Sequence, residues 1–160
     1  VAERSRVTPT ESGSWARSTA AATLVGIGLM AAVDEIVFHQ LLQWHHFYDR
    51  STPTVGIFSD GLLHTAELIA VVAGFFLLAD LRRHGRLVPA SAWAGLILGL
   101  GVFQLFDGIV DHKVLRIHQI RYDVDLLPYD VVWNAGAVLL LVIGTVLALR
   151  VRRRMAGPSR

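Results

Sequence analysis

The stretch STAAATLVGIGLMAAVDEIVF, Ser18 to Phe38, decides the fold. It has about the ~20 apolar residues that a helix needs to cross a bilayer. It ends in a dense polar motif and not at a small-residue cleavage site, so it reads as a lasting span and not as a leader. Three stretches of the same kind follow at 61–81, 90–110 and 131–151, separated by charges and turn formers such as Asp49, Arg50 and Pro53, or Arg82, Arg83 and Gly85. The expected fold is all-α, a four-transmembrane-helix bundle. A chain of 160 residues with 53 % hydrophobic and 18 % charged residues fits one domain and is too apolar for an ordinary soluble one. The expected organisation is a cytoplasmic tail at 1–17, a membrane domain at 18–151 and a basic cytoplasmic tail at 152–160.

Lysine and arginine set the orientation. With the N-terminus, the middle loop and the C-terminus on one side, eleven of the 15 basic residues gather there, and only Arg50, Lys113, Arg116 and Arg121 fall on the other. The positive-inside rule then makes both termini cytoplasmic. Ten of the 13 acidic residues and six of the seven histidines lie toward the opposite, outer side. The formal charge of +2 and the absence of basic residues interleaved with aromatics exclude a nucleic-acid partner. There is no cysteine, so any metal must be held by nitrogen and oxygen.

The polar motif recurs. DEIVFHQLLQWH (34–45) aligns with DGIVDHKVLRIH (107–118), and the second and fourth helices open alike, with Asp60-Gly-Leu-Leu-His64 against Asp130-Val-Val-Trp-Asn134. The chain reads as a duplicated helical hairpin, with halves at about 18–81 and 90–151 in parallel orientation. On an α-helical period Asp34, Phe38 and His45 share one stripe, Glu35, His39 and His46 the next, and Asp107, Asp111 and His118 repeat the first. Asp60, His64 and Glu67 fall on one face of the second helix, a face expected to point into the bundle.

Charged groups within a bilayer cost roughly 2.5–3.5 kcal/mol each and are usually paired or functional. A divalent cation would neutralise carboxylates and satisfy imidazoles together, and facing helices of a bundle can supply both. The expected metal ligands are His39, His64, Glu67, His112, Glu35, Asp60, His118, His45 and Asp111, with Asp34 and Asp107 orienting water or accepting a proton. Zinc or iron rank first, copper next, and haem below them. Plainer readings compete: Asp60 and Asp130 as N-caps, His45 and His46 in an interfacial aromatic belt, and His64 with Glu67 as a structural pair.

The segments DEIVFHQLLQWHH (34–46), SDGLLHT (59–65) and FDGIVDHK (106–113) resemble an uncharacterised bacterial family of predicted membrane proteins, domain of unknown function 2243. The resemblance covers almost the whole chain. It implies a multi-pass protein of the bacterial cytoplasmic membrane and brings no reaction or cofactor. The leading expectation is a membrane metal-binding protein with its site on the outer side, a metalloenzyme or redox protein. The alternatives are a metal-delivery or assembly factor for a respiratory complex, a haem-binding protein, or a non-catalytic partner subunit. Besides the lipid bilayer, the partners to consider are another membrane protein or a second copy of the chain.

Overall fold

The computed structural model describes residues 9–156, so Arg4, Arg6 and Arg160 of the charge comparison, and the outer parts of both tails, lie outside the described residues. Helix α1 (Pro9–Asp34) runs on without a break as a π-helical segment, Glu35–Leu41. Helix α2 spans Pro53–Arg83, and α3 (Pro89–Phe106) again continues as a π-helical segment, Asp107–Leu115. Helix α4 spans Leu126–Ala156. All four are long and apolar enough to cross a membrane, and the described residues contain no strand.

The helices outrun the apolar stretches that announce them, because hydropathy marks only the part that sits in hydrocarbon. Helix α2 begins at Pro53, where a missing N–H costs nothing, and the Thr52 hydroxyl accepts from Val55 N–H at 3.4 Å. It ends at Gly85, whose φ of +64° suits a glycine. Asp60 therefore lies well inside α2 and Asp130 inside α4, and neither is an N-cap. At α4 it is Asp125 that accepts from Leu127 N–H, at 3.1 Å.

Helices α1 and α3 form the central pair. Helix α2 packs on α1, α4 packs on α3, and α2 and α4 do not touch. The central crossing is built on small residues: a Cβ on Gly26 would strike Leu96 O and Gly99 Cα, and one on Gly99 would strike Thr23 O and Gly26 Cα. Between spans, where lipid is as apolar as leucine, such close backbone approach is a main source of attraction. The outward faces carry Phe58, Phe76, Trp93 and Val132, all largely exposed on the protein and suited to lipid. What the central pair buries at its other end is polar.

Candidate metal centre

The two π-helical segments set the geometry. In a π turn the N–H reaches five residues back, so side chains five apart share a face that an α-helix gives to residues four apart. His39 Nε2 thus comes within 3.6 Å of Asp34 Oδ2, and His112 Nε2 within 3.3 Å of Asp107 Oδ2. Gln40 and Glu35 meet by the same step, the amide donating to Oε1 at 2.7 Å. Of the α-helical stripes expected from the sequence, the pairing of Glu35 with His39 is kept, Glu35 Oε2 lying 2.8 Å from His39 Nδ1, while that of Asp34 with Phe38 is replaced. Phe38, expected beside Asp34, instead packs on Trp44 and Trp133.

After each π segment one residue takes a left-handed conformation, Gln43 at φ 52° and Arg116 at φ 51°. For a non-glycine residue this costs roughly 1–2 kcal/mol. It turns the chain back on itself: Trp44 N–H donates to Phe38 O at 2.9 Å, and Ile117 N–H to Asp111 O at 3.1 Å. His45 and His118, which follow these turns, are folded over the ends of their own helices.

The loops after the two π segments then clasp each other. Asp49 N–H donates to Ile117 O at 3.0 Å. His45 Nδ1 donates to Ile120 O and His118 Nδ1 to Phe47 O, each at 2.9 Å. A carbonyl only accepts, so Nδ1 must hold a ring proton, and in the neutral form of either ring Nε2 presents its lone pair. Holding the distal nitrogen in this way fixes ring orientation and is how proteins prepare an imidazole for a metal.

Four imidazoles meet here. The His45 and His118 rings stack with centroids 4.6 Å apart and planes 4° from parallel. His112 stands edge-on to His118 at 4.6 Å, and His39 edge-on to His45 at 4.4 Å. All four are buried, together with Asp34, Glu35, Asp60, Glu67, Asp107 and Asp111, while no lysine or arginine is buried among the described residues. The Nε2 atoms of His39, His45, His112 and His118 have no hydrogen-bond partner, and neither do Glu35 Oε2 and Asp107 Oδ2. Buried polar atoms are almost always satisfied, so this many bare lone pairs in one place asks for a cation. Ligand atoms of His45, His112 and His118 lie within 4.8 Å of one another, and so do those of Asp34, His39 and His45, and those of Glu35, His39 and Asp60.

Electrostatics keep His45 a lone-pair donor. Burial, helped by the nearby His118, His39 and His112 rings, pushes its pKa down to about 2, so the ring is neutral at any ordinary pH. Burial also opposes charge on His118, but the Asp107 carboxylate beside Nε2, at 3.3 Å, outweighs it and raises that pKa. A positive charge is favoured at that point. A cavity of about 700 Å³ reaches the centre from the side and is lined by His39, His45, His46, Asp60, Gln43 and Tyr122.

Eight of the expected site residues are thus brought together: Asp34, Glu35, His39, His45, Asp60, His112 and His118 in the three ligand groups, and Asp107 through its 3.3 Å approaches to His112 and His118. Asp111 is buried nearby but joins none of the three ligand groups. Glu67 is buried and His64 is not, its side chain being 60 % exposed and bonded only to Glu67. The inward face expected for His64 fails because, among the helices, α2 packs only on α1 and its π-helical continuation, which leaves a narrow strip of that helix facing protein. His45 is buried and so stands apart from an aromatic belt. His46 and Gln40, which hold Asp60 and Glu35, had no place in the expected ligand set.

Residues 21–151 match the family model described as Predicted membrane protein (DUF2243). The chain belongs to this family. The match takes in all four helices and both π-helical segments, and with the four spans it places the DUF2243 protein in a lipid bilayer. No curated protein and no solved structure matches the chain. The chemistry of this DUF2243 member has to be argued from its own residues.

Proposed function

We propose that this membrane protein holds a divalent transition metal at the polar end of its central helix pair and uses it on the outer side of the bacterial cytoplasmic membrane, as a metalloenzyme or redox centre. His45, His112 and His118 are the nitrogen ligands and Asp107 the carboxylate. The observation that carries this reading is the pair of imidazoles, His45 and His118, whose Nδ1 protons are spent on opposite loops and whose buried Nε2 atoms make no hydrogen bond, that of His118 facing the Asp107 carboxylate at 3.3 Å. Three imidazoles and a carboxylate favour zinc or iron, then copper. Imidazole rings 4.4–4.6 Å apart in stacked or edge-on contact leave no slot for a porphyrin plane, which ranks haem last.

The side cavity gives a small polar molecule a way to the site, where a bound divalent ion would supply Lewis-acid chemistry and Asp34, grouped with His45, would serve as the proton acceptor. A delivery role would use the same ligands. It gains support from the tight α1–α3 crossing at Gly26 and Gly99, which leaves no gap between the central helices there, so ions would enter and leave at one end. Metal analysis of detergent-purified protein, with an absorption spectrum, tests the proposal. Wild type should carry zinc, iron or copper, and a His112→Ala, His118→Ala variant should lose it. A folded wild type free of metal would refute the reading.

The outer placement rests on Arg17, Arg82, Arg83, Arg86 and the Arg150–Arg154 cluster, all at the end away from the site. Because the chain has no cysteine, single cysteines report topology cleanly. In intact cells a membrane-impermeant maleimide should label Tyr48→Cys and spare Gly85→Cys. The reverse pattern would invert the protein.

A further inference from the structure

Glu35, His39 and Asp60 form a second constellation at the edge of the centre, and each is no more than 2 % exposed. Glu35 and Asp60 have one oxygen tied from outside the group: Glu35 Oε1 by the Gln40 amide at 2.7 Å, and Asp60 Oδ2 by His46 Nδ1 at 2.6 Å. The other oxygens face His39 Nδ1, with Glu35 Oε2 at 2.8 Å and Asp60 Oδ1 at 3.0 Å, and Asp60 Oδ1 also accepts from Phe47 N–H at 2.7 Å. One ring proton cannot serve both. It goes to Asp60 and leaves Glu35 Oε2 buried without a hydrogen bond. A metal ion on Nδ1 satisfies all three groups and puts the ring proton on Nε2, toward Asp34.

The second half of the chain supplies the comparison. In the aligned repeat Gln40 corresponds to Lys113, Asp60 to Asp130 and Glu35 to Gly108. There the Lys113 ammonium pairs directly with Asp130. The second half thus provides its own cation and has no carboxylate at the place of Glu35, its extra Asp111 standing where the first half has Phe38, whereas the first half has both Glu35 and Asp60 and no lysine or arginine at the equivalent place.

We propose that a second divalent cation binds between Glu35 Oε2, His39 Nδ1 and Asp60 Oδ1, making an oxygen-rich site next to the nitrogen-rich one. This rests on the metal-protein reading above and adds a second ion of different preference. Two carboxylates and one imidazole suit manganese(II) or iron(II), while three imidazoles suit zinc or copper. Gln40, His46 and Asp60 line the side cavity, so the second site is the one an entering ion meets first.

Purified full-length protein is stripped with a chelator, then reloaded with zinc chloride or manganese(II) chloride and desalted. Zinc is counted by mass spectrometry and manganese by electron paramagnetic resonance. Wild type should hold about two zinc ions per chain, or about one tightly bound manganese. Glu35→Gln, an isostere that preserves shape, should lose the manganese and one of the zinc ions. Gln40→Lys, which imports the ammonium of the second half, should do the same while keeping the elution profile of wild type. One zinc ion in wild type that survives Glu35→Gln would overturn the second site and leave the first standing. Two zinc ions that survive both variants would also overturn it, by placing the second ion elsewhere. No bound zinc at all would remove both sites.

Discussion

On the proposed metal-binding reading, a chelator should lower the thermal midpoint of the detergent-solubilised protein by about 10 °C. Six carboxylates are buried in the described chain and no lysine or arginine is buried with them. Without a bound cation their charge must be balanced by protons, on the carboxylates or on the histidines beside them, in a medium that penalises charge heavily. A ligand present at a thousand times its dissociation constant stabilises the native state by about 4 kcal/mol. At about 2–4 °C per kcal/mol for a chain of this size, the midpoint falls by roughly 8–16 °C. The four tryptophans report the transition in a fluorescence melt, and Trp44 and Trp133 sit beside the centre on Phe38. Returning zinc should restore the midpoint. A melt that ignores both chelator and zinc would mean the carboxylates are balanced by protons alone.

Gly99→Leu should prevent stable folding. A Cβ there would overlap Thr23 O, Ile27 N and Gly26 Cα of α1, all of them backbone, so no rotamer change relieves the clash. Overpacking that moves backbone costs about 3 kcal/mol or more. Because α1 and α3 are the central pair, forcing them apart also separates the two histidine loops that clasp each other. The control is Gly61→Ala, where an added Cβ meets nothing within 4 Å. It should be neutral or slightly stabilising, since alanine is favoured over glycine in a helix by roughly 0.5–1 kcal/mol. Yields and size-exclusion profiles in detergent separate the two outcomes, and wild-type behaviour of Gly99→Leu would rule out the close crossing.

The spans were legible because a bilayer demands long apolar runs, and nothing else in a chain of this composition imitates them. The gathering of histidines and carboxylates at one end was legible too, since it follows from chain order once four crossings are drawn. Their contacts were not. An α-helical period pairs Asp34 with Phe38, whereas the π-helical segment pairs it with His39, and no residue in DEIVFHQL announces that change of step. The left-handed turns at Gln43 and Arg116 were equally silent, as neither residue is a glycine or asparagine. His64 misled because its spacing from Asp60 and Glu67 fits one face, while the width of that face depends on how many neighbours α2 has. The repeat offered the better clue: Asp34, His39 and His45 against Asp107, His112 and His118 name the residues that the two halves bring to one place.

The central claim is that imidazoles from both halves of the chain share a metal ion. X-ray absorption at the metal edge of the purified wild-type protein tests it most directly. The expected spectrum shows a first shell of nitrogen and oxygen only, at about 2.0–2.1 Å for zinc, with the outer-shell scattering of about three imidazole rings. A bound metal whose spectrum lacks imidazole scattering, or a folded protein with no metal edge to record, would contradict it.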